Sequence, residues 1–215
     1  MKRFSWIITI FHNEKIQGGV ILSLDLDELN KKILNEADEI LYQFGLYDTL
    51  KKFGNPYVSG SYLLKLMTWR DLDIYLESDS IDTDTFFDLG KEISNKINPY
   101  KMSFRNELIG KTPHLPKGLY WGIHTNLFDQ KWKIDIWVID FKEVKRKQSV
   151  VEDVKIKMDN CNRKSILELK NILHSHPLYR KKFFSIDIYN AVLDDKIVSI
   201  EQFKEWLCTK KGIGI

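Results

Sequence analysis

Twice in this chain, apolar and polar residues alternate with the period of a β-strand. The first run is Asp71-Leu72-Asp73-Ile74-Tyr75-Leu76 and the second is Ile134-Asp135-Ile136-Trp137-Val138. Successive side chains of a strand point to opposite faces. Leu72, Ile74 and Leu76 therefore share an apolar face, and Asp71 and Asp73 share the other. In the second run Ile134, Ile136 and Val138 read as core, with Asp135 turned away from it. Elsewhere the period lengthens. Leu29, Ile33, Leu34, Ala37, Ile40, Leu41 and Phe44 recur at helical spacing over 27–44, and Gly45 is a natural stop.

The remaining punctuation predicts a hairpin of strands over 4–11 and 20–24, a short helix over 47–53 and a short strand at Tyr57-Val58. A turn at Gly60-Ser61 leads into a helix over roughly 62–69. An amphipathic helix over roughly 85–97 ends at Pro99. Strands come next at 101–107, 119–127 and 132–140, the last two forming an antiparallel hairpin, with a proline-bearing loop over 110–117. Residues 142–160 are charged and ambiguous. Helices are expected over 163–176, around 185–193 and over 199–210, where Ser199 and Gln202 stand at capping-box spacing. This order predicts an α+β fold: a mixed-sheet core over 1–141, with an N-terminal extension over 1–24, and a mostly helical region over 142–215.

Composition narrows the class. With 215 residues, 43% hydrophobic and 13% aromatic, the chain can bury a core. Its net charge of +3 hides an asymmetry. Residues 142–215 carry 16 Lys/Arg against 10 Asp/Glu, leaving 17 against 20 for residues 1–141. The basic region suits either a solvated helical surface or a polyanionic ligand. Cys161 and Cys208 form no CxxC pair and no zinc spacing with the five histidines, which fits a reduced, cytoplasmic protein. No apolar run is long enough for a membrane span. The apolar residues after Met1-Lys2-Arg3 are broken by His12-Asn13-Glu14-Lys15, so they read as a strand rather than a leader.

Two carboxylates on one strand face repel, and a divalent cation relieves that repulsion. Asp135 is an acid in the middle of a strand, where acids are depleted, so it needs solvent or a partner. If its strand neighbours 71–76, the three acids form a triad. Three such carboxylates together with nucleotide phosphates can hold two cations roughly 3.5–4 Å apart for in-line displacement. Gly60 has no Cβ to keep a phosphate away, and Ser61 could bond it at the start of a helix. Two other Asp-x-Asp runs lack this setting. Asp25-Leu26-Asp27 precedes helix formers, and Asp82-Thr83-Asp84 precedes an amphipathic helix, so both read as caps.

Gly60-Ser61, then Asp71-Leu72-Asp73, then a lone strand-borne Asp135, resembles the DNA polymerase beta superfamily of nucleotidyltransferases over roughly 57–140. The resemblance implies that Asp71 and Asp73 bind both metals, Asp135 the catalytic one, and Gly60-Ser61 the nucleotide phosphates. It implies catalysis by the three acids with two Mg²⁺ ions. Size and layout also resemble the small bacterial lincosamide and aminoglycoside nucleotidyltransferases.

The resulting expectation is a Mg²⁺-dependent enzyme. It moves a nucleoside monophosphate from a nucleoside triphosphate such as ATP to an acceptor hydroxyl, most simply on a small molecule, and releases pyrophosphate. The alternatives are a protein or RNA acceptor, supported only by the basic region, or a non-catalytic nucleotide- or nucleic-acid-binding module. No membrane partner is expected. Other candidates have plainer readings beside functional ones. Arg70 and Lys65 lie near the phosphate turn, and Lys133 shares a face with Asp135. His114 lies in the proline loop, and Tyr120, Trp121 and His124 lie in a strand, where their rings could stack on a ligand or simply pack. His174 and His176 sit near a helix end.

Overall fold

A computed structural model of the chain describes residues 16–17, 20–21, 25–78, 82–113 and 115–215. At its start, β1 (Ile16–Gln17) pairs antiparallel with β2 (Val20–Ile21). The expected strand over 4–11 lies outside the described residues. Asp25 caps α1 (Leu26–Asp38), accepting from the backbone amides of Asp27 and Glu28, as the capping reading requires. The helix continues as a π-helical turn over Glu39–Gln43 and stops at Gly45, whose φ of 74° suits a residue without Cβ. α2 (Leu46–Lys51) then leads into β3 (Asn55–Val58).

The segment after β3 departs from expectation. In place of a helix over 62–69 there is a single turn, α3 (Gly60–Leu63). Lys65 then takes a left-handed φ of 54°, which breaks the helix. The irregular stretch sends Leu64 and Leu66 into a different core from that of the flanking strands. Next come β4 (Asp71–Glu77) and α4 (Thr83–Ile97), capped by Asp82. After them stand β5 (Lys101–Asn106), the single turn α5 (Glu107–Gly110), β6 (Leu119–Leu127) and β7 (Gln130–Ile139). Phe128 and Asp129, both left-handed, make the two-residue hairpin between β6 and β7.

The larger sheet has the strand order β3-β4-β7-β6-β5 and is antiparallel except for the β4–β7 pair. The fold is therefore α+β around a five-stranded mixed sheet. One sheet face carries Leu72, Ile74, Leu76, Ile134, Ile136 and Ile123, all buried against α1, α2 and α4. Each such side chain contributes roughly 1.5–3 kcal/mol on burial.

The charged stretch over 142–160, ambiguous from sequence, lies largely in α6 (Phe141–Lys157), capped by Asp140, which ends the strand one residue early. α7 (Asn160–Leu173), α8 (Ser185–Leu193) and α9 (Ile200–Lys211) complete the chain. Ser199 caps α9, but the Gln202 side chain accepts from the Val198 amide rather than from that of Ser199. Helices α6 to α9 enclose a second core around Ile166, Leu169, Phe183, Ile188 and Phe203. Cys161 and Cys208 are free and exposed. Among the described residues, no helix is long and apolar enough to cross a membrane.

Candidate active site

The register of the parallel pair sets Asp73 directly opposite Asp135 and Asp71 opposite Lys133. Neighbouring strands lie about 4.8 Å apart, so the three acids share one small area of the polar sheet face. Alternation places Asp71 and Asp73 there, and the neighbouring strand supplies Asp135, the adjacency on which the expected triad depended.

Gly60 stands at this point, with φ 61° and no room for a larger residue. A Cβ built on it would come 2.5 Å from Asp73 Oδ2. The bare backbone of Gly60 is thus what lets the β3–α3 turn close onto the carboxylate. The turn is held there by the Ser59 amide, which donates to the Asp73 carbonyl at 2.9 Å.

Cations from other elements meet these acids. Arg180, in the segment between α7 and α8, donates to Asp71 Oδ2 at 2.5 Å, and its guanidinium lies 5.8 Å from the centre of the Trp69 ring. Lys133 Nζ pairs with Asp135 Oδ2 and lies 3.6 Å from Asp71 Oδ1. Tyr120, on β6, donates its hydroxyl to the other Asp135 oxygen at 2.7 Å. Asp71 Oδ1 is buried and has no hydrogen-bond partner among the described residues.

This arrangement shifts the charges of the groups within it. Burial, then the neighbouring Asp71 and Asp135, push the Asp73 carboxyl up to about 7, against the pull of Lys133 and Arg180. Burial disfavours the Lys133 ammonium, but Asp71 and Asp135 outweigh it and hold its pKa above the usual lysine value. Burial beside Asp135 raises the Tyr120 phenol, so it stays a donor.

Ser61 meets a partner invisible in the sequence. Lys170, fully buried on α7, donates to Ser61 Oγ at 2.6 Å and to the Tyr189 hydroxyl at 3.1 Å, and sits 4.6 Å over the Trp69 ring. No carboxylate pairs with it among the described residues. Burial pushes its ammonium down to about 7, with Asp71 and Asp73 pulling up and Arg180 pushing down. A buried cation without a counter-ion is costly, and an incoming anion would relieve it. α3 is a single turn, so no helix of useful length stands behind Ser61, and the positive charge that meets Ser61 is the Lys170 ammonium.

The other candidates separate. Arg70 makes a two-pronged ion pair with Glu36, at 2.5 and 2.8 Å, and is structural. Lys65 is exposed on its strained turn. Trp121 is core and donates to the Phe86 carbonyl. His174 stacks on Trp69, and His176 accepts from the Leu178 amide. His124 joins the polar sheet face beside Lys133, with burial, Lys101 and Lys133 lowering its pKa. His114 lies outside the described residues. The residues that sequence reasoning misses are Lys170, Arg180 and Tyr189. Tyr120 reads from sequence only as a stacking or packing ring, and its hydroxyl proves to be the part that reaches the acids.

A divalent cation suits this donor set in three respects: an orphaned buried carboxylate oxygen on Asp71, a carboxyl held near neutrality on Asp73, and hard oxygen donors on neighbouring strands. Among the described residues no three His, Cys, Asp or Glu side chains already converge as a metal cage, and Lys133 and Arg180 supply the positive charge at the acids.

Comparison with protein-family models and with curated proteins returns no match. Comparison with solved structures returns matches that include three remote ones. The GLD-2/RNP-8 complex matches at 16% identity and TM-score 0.43, covering 78% of this chain and 64% of that one. The non-canonical poly(A) polymerase complex GLD-2–GLD-3 matches at 16% and 0.45, covering 88% and 64%. A cytoplasmic RNA terminal U-transferase matches at 13% and 0.44, covering 79% and 53%. The chain thus spans 53 to 64% of the length of these chains. Likeness this remote carries no information about what this chain acts on.

Proposed function

We propose that this chain is a metal-dependent nucleotidyltransferase that moves a nucleoside monophosphate from a nucleoside triphosphate to an acceptor hydroxyl. The observation that carries the reading is the pairing of Asp73 with Asp135 across β4 and β7, with Asp71 beside them and the Gly60 backbone pressed against Asp73.

In this reading Asp71, Asp73 and Asp135 hold Mg²⁺, which when bound supplies charge stabilisation at the reacting phosphoryl oxygens. Ser61 and Lys170 bind the triphosphate, the Lys170 ammonium gaining the anionic partner it otherwise lacks. Arg180 leaves Asp71 for the same phosphates. The acceptor oxygen bonds to the α-phosphorus, the bond from that phosphorus to the bridging oxygen breaks, and pyrophosphate departs. Asp135, on the side away from Lys170, takes the hydroxyl proton on a carboxylate oxygen. The acceptor is most simply a small molecule, as size and layout suggest.

The test is calorimetric binding of a non-hydrolysable nucleoside triphosphate with and without Mg²⁺, for wild type and Asp71→Asn/Asp73→Asn. The expected outcome is Mg²⁺-dependent binding that the double substitution abolishes. A folded wild type that binds none of the four nucleotides overturns the reading.

A further inference from the structure

In-line displacement puts the attacking oxygen opposite the departing pyrophosphate. Lys170, Ser61 and Arg180 all lie on the β3 and helical side of the acids. The acceptor must then approach from the β6–β5 side of Asp135, and the register shows what it would meet there. Opposite Asp135 on β6 is Gly122, and opposite Gly122 on β5 is Ser103. A Cβ at Gly122 would collide with the Tyr120 hydroxyl and lie 2.9 Å from Ser103 Oγ. Tyr120 therefore reaches across the buried Gly122 to Asp135, and the Tyr120 and Ser103 hydroxyls line the sheet beside that carboxylate.

The rim of this hydroxyl-lined patch is basic. Lys101 pairs across from His124, which pairs across from Lys133, and Arg105 flanks the other end beside Tyr120. Lys101, Ser103 and Arg105 are exposed, whereas α6 packs on β4 at the far end of the face, with Lys147 over the Tyr75 ring. Arg105 donates to Glu107 Oε1 at 3.2 Å, and Glu107 is shared, accepting also from the Thr112 amide and hydroxyl. By strand spacing, Ser103 lies about 10 Å from Asp135, within reach of a group a few bonds from the reacting hydroxyl.

We propose that the β5–β6 face beside Asp135 is the acceptor subsite, and that it takes a hydroxyl acceptor bearing a phosphate ester, held by Lys101, Arg105 and His124 above the Ser103 and Tyr120 hydroxyls. The assignment rests on the nucleotidyltransferase reading for the direction of approach, but its test needs no turnover. A small phosphorylated metabolite and the terminal phosphodiester of a nucleic acid offer the same chemistry.

The experiment titrates glycerol 3-phosphate, and separately a ten-nucleotide oligoadenylate, into metal-free protein. It tracks the His124 imidazole resonances and measures affinity in wild type, Lys101→Gln/Arg105→Gln and Lys170→Met. The substituted β5 residues are exposed, so folding is retained, and Mg²⁺-dependent nucleotide binding serves as the check on it. The expected result is a shift of the His124 signals and at least a tenfold loss of affinity in the β5 variant, with little loss in Lys170→Met. Tighter binding of glycerol 3-phosphate assigns the source to a small molecule. Tighter binding of the oligonucleotide, with a steep salt dependence, assigns it to a nucleic acid end. Binding lost only in Lys170→Met, or no binding of either probe while the nucleotide still binds, overturns the subsite and leaves the nucleotidyltransferase reading standing.

Discussion

The two cores of this protein leave opposite charges at their common boundary. The sheet core, built on β4, β6 and β7, turns its aliphatic residues inward and its acids outward, so that Asp71, Asp73 and Asp135 gather on one face. The helical core, built on α6 to α9, sends cations toward that face: Lys170 from inside α7, and Arg180 from the segment before α8. Neither half is electrostatically complete. The sheet half alone would set three acids against the single cation Lys133, and the helical half alone would bury an ammonium with no counter-ion. The site is therefore a product of the boundary. The irregular 64–70 segment ties the halves together, since Leu64 and Leu66 pack in the helical core just ahead of Asp71.

The sharpest way to separate the roles of the halves is Asp135→Asn. Pyrophosphate release with water as acceptor is expected to fall by about 10²- to 10⁴-fold, the range for loss of a positioned acid–base group. Nucleotide affinity, measured by calorimetry, is expected to change far less, because the helical half still supplies Lys170. Equal loss of affinity and rate would dissolve the distinction.

The next test asks whether the halves fold separately. Ile136→Ala in the sheet core and Ile166→Ala in the helical core each remove a fully buried side chain, at an expected cost of about 2–5 kcal/mol. Because the 64–70 segment and the Arg163 contacts to Asp27 and Asn30 cross the boundary, both substitutions are expected to shift one urea transition. Two transitions, each moved by only one substitution, would show that the halves are independent.

Gly60→Ala carries a smaller cost, about 1–3 kcal/mol for a left-handed residue with a side chain. Its Cβ also displaces the Asp73 carboxylate, so Mg²⁺-dependent nucleotide binding is expected to weaken along with thermal stability. Normal affinity in this variant would show that the turn does not position the acid.

Lys170→Met should move stability and binding in opposite directions. Triphosphate affinity is expected to fall about ten- to hundredfold, the scale of a charge-assisted hydrogen bond. The ligand-free protein is expected to be as stable as wild type or more so near pH 7, because an apolar side chain of similar size costs less to bury.

The pH profile of stability, measured in chelator, checks the same comparison. Asp73 is raised from its ordinary 3.8 to about 7, so the native state holds this proton longer than the unfolded state. Its contribution is present below pH 4 and is lost as pH rises to 7. Lys170 is lowered from 10.5 to about 7, so its contribution is present above pH 10.5 and is lost as pH falls to 7. Asp73→Asn is expected to flatten the acid limb alone, and Lys170→Met the alkaline limb alone.

Much of the sheet half can be read from the chain because its signals are local. Alternation separates Asp71 and Asp73 from Leu72 and Ile74, and the caps at Asp25 and Asp82 are plain from the helix-forming residues directly after them. The expected helix after Ser61 fails because the helical spacing of Tyr62 to Met67 misleads. Their apolar residues are in fact divided between two cores, and that division forces the left-handed Lys65. Lys170 gives no signal, since one lysine among helical leucines looks like any solvated residue.

The sequence by itself determined which face each strand presents and where most helices begin, because side-chain direction comes from backbone periodicity and capping within a few residues. Only the tertiary structure decided that β7 returns parallel to β4, so that Asp135 stands opposite Asp73, and that Lys170 reaches Ser61 and Arg180 reaches Asp71 from the helical core. Those juxtapositions depend on which apolar faces bury one another across distant parts of the chain, and no local pattern encodes that choice.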